Sequence, residues 1–158
     1  YQNDIQGFIT PSTNVQSNLA VLRGGTLSLD WMRGATTYST SYDYADPHAF
    51  TTTGSSRDLR LVRVAMHMLN LRVAHNMGDV TVFGECRLSS EREDAKITGS
   101  GRDTLAAYGV LNVGGTWRLR RDVSLLARIN NVGDAQYMLA NGYSMPGRNA
   151  FVSINWSM

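Results

Sequence analysis

Ala150-Phe151-Val152-Ser153-Ile154-Asn155-Trp156-Ser157-Met158 closes the sequence. Counted from its end, Met158, Trp156, Ile154, Val152 and Ala150 are apolar or small. Ser157, Asn155 and Ser153 stand between them, and Phe151 is the one apolar residue on that second face. Successive side chains of a strand point to opposite faces, so this stretch reads as a strand with one oily face and one polar face. A strand that meets lipid on one side and a wet interior on the other has this composition.

The same period of two recurs upstream. One strand is expected over Tyr1 to Ile9, followed by a polar connection from Thr10 to Asn18. A second strand sets Val21, Arg23, Gly25, Leu27, Leu29 and Trp31 against Leu22, Gly24, Thr26, Ser28 and Asp30, and ends in a tight turn near Arg33-Gly34. A third alternates from Thr36 to Tyr44 and leads into a polar segment, Asp46 to Arg60. Ala65 to His75 and Val80 to Ser89 flank the short turn Met77-Gly78-Asp79. The charged stretch Ser90 to Asp103 is expected to be an exposed loop. Leu105 to Trp117 is the next strand, Arg120-Arg121-Asp122 the next turn, and Val123 to Ile129 the strand after it. A last long connection, Gly133 to Gly147, precedes the terminal strand.

About eight antiparallel strands result, joined by connections that alternate long and short. Outer-membrane barrels pair short periplasmic turns with long extracellular loops. One inferred face carries Asp30, Asp43, Asn70, Arg72, Glu85, Arg87, Asn112, Arg118, Arg128 and Asn130, which suits a wet lumen. A soluble β-sandwich could leave that face in water and is the competing reading of the pattern. No helical period persists.

Composition narrows the function classes. The 158 residues suffice for one domain, and no run reaches the roughly 18 apolar residues of a membrane helix. That leaves membrane strands open, because alternation averages out to mild polarity. A net charge of +2 does not argue for nucleic acid. The single cysteine, Cys86, precludes an internal disulfide. No nucleophile elbow, zinc helix, P-loop or paired-cysteine motif is present, so no catalytic residue, metal ligand or cofactor is expected. Gly99-Ser100-Gly101 lacks the third glycine of a dinucleotide fingerprint and reads as loop. Glu91, Glu93 and Asp94 could hold a cation but read more simply as solvated charges.

Aromatic residues cluster at strand ends. Trp31, Trp117 and Trp156 precede short turns or the terminus, and Tyr42 and Tyr44 precede a long connection. Amphipathic rings gather at lipid–water boundaries, so Trp31, Tyr42, Tyr44 and Trp117 are expected to form girdles. His67 and His75 are eight positions apart, about 26 Å on a strand at ~3.3 Å per residue. They cannot share a metal, and the distance is close to the ~25 Å height of an apolar band.

Leu125-Leu126-Ala127-Arg128-Ile129-Asn130-Asn131-Val132-Gly133-Asp134-Ala135-Gln136-Tyr137 resembles the C-terminal signature of TonB-dependent outer-membrane receptors, with Asn131, Asp134 and Tyr137 on its Asn, Asp and Tyr. Pro146-Gly147-Arg148-Asn149 resembles the same family's Pro-Gly-Arg close. Tyr1-Gln2-Asn3-Asp4-Ile5, Leu69-Asn70-Leu71 and Tyr108-Gly109-Val110-Leu111-Asn112-Val113 agree more loosely, and the spacing of these pieces is similar to the cobalamin-transporter subgroup. Val132-Gly133 departs from the family's Leu-Phe, and Met158 from its terminal aromatic. The resemblance implies that residues 1–158 are the C-terminal part of a barrel of about twenty-two strands, with the plug domain outside this sequence. It further implies uptake of a bulky, scarce nutrient, a cobalamin or iron-siderophore type, driven through TonB by way of that plug. Extracellular loops would meet the ligand, with Arg57, Arg92 and Tyr143 as candidates. Ala150, Val152, Ile154, Trp156 and Met158 would be the insertion signal read by the barrel-assembly machinery, with lipid of the bacterial outer membrane as the surrounding partner. A complete small barrel of eight strands, structural or adhesive, is the alternative within the membrane.

Overall fold

The computed structural model describes residues 19–50 and 59–157. The expected first strand, the connection Thr10 to Asn18, Arg57 and Met158 lie outside the described residues. Seven long strands carry the fold: β1 (Leu19–Arg33), β2 (Thr36–Phe50), β4 (His67–Asn76), β5 (Val80–Ser89), β8 (Tyr108–Arg118), β9 (Val123–Asn130) and β12 (Asn149–Trp156). They pair in that order, each antiparallel to the next, in one up-and-down sheet. A two-residue strand, β3 (Leu59–Arg60), extends the sheet beside β2. Two small hairpins sit in the long connections: β6 (Arg92–Ala95) with β7 (Arg102–Leu105), and β10 (Met138–Ala140) with β11 (Tyr143–Ser144). The architecture is all-β, and among the described residues there is no helix. β1 and β12 occupy the two ends of the strand order.

The short turns form for local reasons. Gly34 has φ of 58° and Gly78 of 83°, left-handed values that a side chain disfavours. Asn76 fixes the second turn by accepting from the Gly78 N–H at 2.9 Å. The Met77 N–H donates to the Val80 carbonyl at 2.7 Å and closes it.

Three expectations need correction. β2 does not stop near Tyr44 but runs to Phe50, because β1 continues to offer partners down to the pair Leu19↔Phe50. Pro47 is tolerated there because the β4 pairing ends at Tyr44 and the β3 pairing begins at His48, so no ladder bond is asked of it on that side. Second, Ser90 to Asp103 is not an exposed loop. It folds as the β6–β7 hairpin, in which Asp94 is 0% exposed because Arg63 and backbone amides pair its charge, and Arg92, 9% exposed, packs against Ser89 and Tyr108. Third, Leu105 does not open the sixth long strand. It ends β7, buried, and β8 starts at Tyr108.

The pleat sorts the side chains as the alternation requires. On one face Leu27, Leu29, Leu111, Val113, Val152 and Ile154 are exposed, Leu29 at 62% and Ile154 at 69%. On the other lie Ser39, Arg72, Glu85 and Asn112, aligned across four strands by the pairs Ser39↔Arg72, Arg72↔Glu85 and Glu85↔Asn112. Among the described residues only Leu105 and Val110 are buried apolar side chains. A water-soluble sheet with two buried apolar residues would lack the burial that offsets chain entropy. The oily face therefore needs a nonaqueous neighbour. Leu111 sits at mid-height of that face, paired with Cys86, which pairs on its other side with Leu71, the residue midway between His67 and His75.

Leu111→Arg is expected to cost about 2–4 kcal/mol when unfolding is followed by denaturant titration in lipid vesicles, whereas Ser39→Arg on the opposite face is expected to stay within about 1 kcal/mol. Equal costs at the two positions would contradict the facing.

Candidate functional site

The polar face of the sheet curves around a concavity of about 800 Å³. β4, β5 and β9 deliver its central cluster. Glu85 accepts from Arg72 through one carboxylate oxygen and from the Nη2 of Arg128 at 2.7 Å through the other. Both guanidinium groups lie over the Phe83 ring, at 4.8 and 5.8 Å from its centroid. Phe83 and Glu85 share this face because they are two apart on β5. The chain of contacts continues: Arg128 Nε donates to Asn130 Oδ1 at 2.6 Å, and Asn130 Nδ2 to Asn149 Oδ1 at 2.9 Å. One step nearer the long connections, Arg87 donates to Asn70 at 2.9 Å, and Asn70 to Ser41 at 3.2 Å. One carboxylate for two arginines leaves this cluster positive, and polar groups satisfied in this manner hold their geometry. The arrangement can bind and orient; it contains no nucleophile–base pair.

Above this face the long connections form one bonded layer around Asp94. Its Oδ2 accepts from the Asn141 N–H at 2.6 Å, its Oδ1 from the Ala95 N–H at 2.8 Å, and both oxygens from Arg63 Nε, at 3.0 and 3.1 Å. Asn141 then donates to the Ala95 carbonyl at 3.1 Å and to Asp103 at 2.8 Å. Arg102 bridges Glu93, at 2.8 Å, and the Arg60 carbonyl. Burial acts to raise the Asp94 pKa, but the two backbone N–H bonds, the Arg63 hydrogen bond and the Arg63 charge outweigh it, and the carboxyl titrates below its usual 3.8. Glu93 and Asp94, expected as solvated charges or cation ligands, are thus occupied by arginines and amides, and among the described residues no group of acids, histidines or cysteines could hold a metal.

A second knot joins β9 to β12. Asn131 is buried, with φ of 50°, a left-handed value that Asn tolerates. Its side chain accepts from the Ala135 N–H at 2.8 Å and donates to the carbonyls of Ala135, at 2.9 Å, and Pro146, at 3.3 Å. Its own N–H donates to Asn112 at 2.9 Å. Asp134, φ 53°, accepts from the Arg148 N–H at 2.7 Å. Tyr137 stacks on Tyr108 at 4.3 Å, and Arg92 lies 5.1 Å from the Tyr108 ring centroid.

The structure places the expected site residues unevenly. Arg92 is packed between Ser89, which accepts from its Nη2 at 3.1 Å, and Tyr108, rather than displayed on a loop. Tyr143 is open to its surroundings, 74% exposed, on β11. The two residues are not brought together as a site by any contact among the described residues. Trp31, Tyr42, Tyr44 and Trp117 all lie exposed on the oily face. Trp31 stacks on Tyr38 at 5.1 Å, so the short-turn end holds a tyrosine beside its tryptophans. Tyr42 and Tyr44 flank His67, with the Tyr42 hydroxyl 2.8 Å from Nδ1. Ala150, Val152, Ile154 and Trp156 run along one face of β12, opposite Ile129, Ala127, Leu125 and Val123. Sequence reasoning missed Asp94 as a hub and Asn141 as its partner. The signal was one acid within a charge-rich segment, and no local pattern separates a buried acid from its solvated neighbours.

A family model described as "TonB dependent receptor-like, beta-barrel" matches residues 1–132. No curated protein matches the chain. Among solved structures, the copper transporter OprC superposes with a TM-score of 0.71 at 22% identity, over 88% of this chain and 24% of its own. The siderophore receptor PiuA from Acinetobacter baumannii gives 0.68 at 18% identity, over 87% of this chain and 22% of its own. A mutant ferric enterobactin receptor, PfeA, from Pseudomonas aeruginosa gives 0.66 at 22% identity, over 87% and 22%. At these identities the likeness concerns the fold, and the chain spans under a quarter of the length of those structures.

Asp94→Ala is expected to leave the Asn141 and Ala95 amides and the Arg63 guanidinium unpaired and to cost about 1–3 kcal/mol of local stability. Faster amide exchange at residues 95 and 141, with the β4–β5 amides unchanged, would show it. A carboxyl with a lowered folded pKa contributes stability above its unfolded value and loses that contribution as pH falls through the folded one. The Ala95 and Asn141 amide signals should therefore titrate with a midpoint below pH 3.8.

Proposed function

The chain belongs to the TonB-dependent receptor-like β-barrel family, and from that premise we propose that residues 1–158 form the C-terminal part of the barrel wall of an outer-membrane uptake receptor. The observation that carries this reading is the division of one antiparallel sheet into an exposed oily face and a hydrogen-bonded charged face. Lipid suits the first, and a hydrated interior filled by a plug domain suits the second. The wall makes and breaks no bond; it supports and shapes the passage.

In this reading the short turns face the periplasm and the layer built on Asp94 faces outward. Trp31, Trp117 and Trp156 mark the periplasmic boundary, and Tyr42 and Tyr44 with His67 mark the outer one. The face of β12 carrying Ala150 to Trp156 is what the assembly machinery reads. TonB supplies energy through a plug encoded outside this sequence. The nutrient is a bulky scarce chelate of the iron-siderophore or cobalamin type, met by the long connections, with Tyr143 on β11 and Arg57 as contact residues. The matched structures whose names mention copper, a siderophore and ferric enterobactin support a metal-bearing ligand, and the cobalamin type rests on motif spacing alone.

The test is uptake by cells carrying the intact receptor. Removing the β6–β7 hairpin or substituting Tyr143→Ala should lower energy-dependent accumulation of one labelled chelate by about tenfold, while outer-membrane abundance stays unchanged. Ferric siderophores and cobalamin are assayed side by side. Accumulation that is indifferent to TonB would reject the transport reading.

A further inference from the structure

We propose that the inner face of β9 and β12, from Phe151 down to the β8–β9 turn, seats an extended acidic segment of the plug domain, with Phe151 as the apolar anchor; the inference deepens the uptake-receptor reading above and rests on it. Phe151 is the one residue that breaks the alternation of the terminal strand. Its register partner on β9 is Arg128, so it shares the charged face with Arg72 and Glu85. It is nonetheless 52% exposed, and among the described residues no ring or guanidinium lies over it. A further strand beside β12 would not cover it. Ladder bonds run in the plane of the sheet, whereas side chains stand across that plane. A phenylalanine left in water forfeits the burial its size offers, and an exposed apolar group rimmed by polar ones marks a contact surface.

The surroundings select the chemistry of the occupant. Phe83, Gly114, Arg128 and Phe151 form one row across β5, β8, β9 and β12. Phe83 lies over Gly114, where an added Cβ would be 2.7 Å from its Cζ, so two rings bracket Arg128. The next row toward the short turns is Thr116, Leu126 and Ser153, and the one after it Arg118, Ser124 and Asn155. The surface thus passes from aromatic to cationic over four residues of β12, about 13 Å at ~3.3 Å per residue. There a cleft of about 390 Å³ is walled by Arg118, Arg120 and Arg121 with Ser124 and Asn155. Its carboxylate, Asp122, already accepts from the Trp156 indole N–H at 3.1 Å. Among the described residues no carboxylate stands within ion-pair distance of the three arginines. The cleft is held in shape, because the Leu119 and Arg120 N–H groups donate to the Val123 carbonyl and the Ser157 N–H to the Asp122 carbonyl.

Arginine forks call for carboxylates, and an open ring calls for an apolar side chain. An extended peptide supplies both at this spacing: an apolar residue over Phe151, and Asp or Glu about four residues along. Facing selects which peptide. Lipid meets the opposite side of the sheet, where Val152 and Ile154 are exposed. The plug is the polypeptide that fills the interior, and as part of the same chain it is present at high effective concentration.

The experiment replaces Phe151 by photoreactive p-benzoylphenylalanine in the intact receptor in cells, and mass spectrometry maps the linked peptides after irradiation. Position 151 is expected to join to a plug peptide that carries Asp or Glu about four residues from the linked site. The same group in place of Val152 should join to lipid. Adding Arg118→Gln/Arg120→Gln/Arg121→Gln should lower the yield at 151 about tenfold at unchanged outer-membrane abundance, the scale of lost charge-assisted bonds. Arg33→Gln, at another short turn, should leave the yield unchanged. Capture at 151 of lipid, of a separate protein, of a plug peptide lacking that acid, or of nothing would overturn the proposal, as would a yield indifferent to the triple substitution. Capture of the plug in a receptor whose accumulation is indifferent to TonB would reject the transport reading and leave this contact standing. TonB-driven uptake with lipid captured at 151 would do the reverse.

Discussion

Backbone hydrogen bonding in a medium without water governs this structure. A peptide N–H or C=O facing hydrocarbon has no solvent partner, so a strand can cross only inside an unbroken ladder. β2, β4, β5, β8 and β9 each pair on both sides. Once the ladder is continuous, the pleat leaves no freedom about which side chains face out. A slip of one residue between β5 and β8 would move Leu111 inside and Asn112 into lipid, so each strand pair's register is enforced by every residue along it.

The interior then has to manage charge. Arg72 and Arg128 come from strands on either side of β5, with β8 between β5 and β9, and a lone guanidinium at either position would repel the other. Glu85 between them turns repulsion into a three-residue clasp, and Phe83 beneath adds a π face to both cations. Because the members sit on three strands, the clasp adds side-chain specificity to the register that the oily face already demands. The same logic operates above the sheet, where Asp94 gathers an arginine and two amides from separate connections. This layer is therefore coupled: moving the β10–β11 turn at Asn141 disturbs the β6–β7 hairpin at Ala95.

The sequence made strand interiors legible and strand ends less so. Val80–Ser89 and Val123–Asn130 form over the expected spans because turn residues bound them on one side and an aligned neighbour spans most of their length. β2 overshoots its expected end by six residues because a strand lasts as long as its partner does, a property of the pair rather than of either segment. The β6–β7 hairpin was hidden by composition. A run of charges looks solvated when each is read alone, yet Glu93, Asp94 and Arg102 are satisfied by Arg63, Asn141 and the Arg60 carbonyl, contacts that span up to 47 residues. No local window contains both members of such pairs.

The residues that carried the family resemblance are architectural. Asn131 and Asp134 take left-handed backbone values, each caps N–H groups that the turn would otherwise strand, and Asp134 reaches across to the N–H of Arg148. A Cβ on Gly147 would lie 2.7 Å from that Asp134 oxygen, so Gly147 and Asp134 are a matched pair although 13 positions separate them. By contrast, a Cβ on Gly133 would meet nothing within 4 Å, and its φ is not left-handed. That is why the departure at Val132-Gly133 leaves the knot intact: the position is open, whereas the neighbouring Asn and Asp are fixed by bonds. The signature thus specifies how the last strand is delivered to β9.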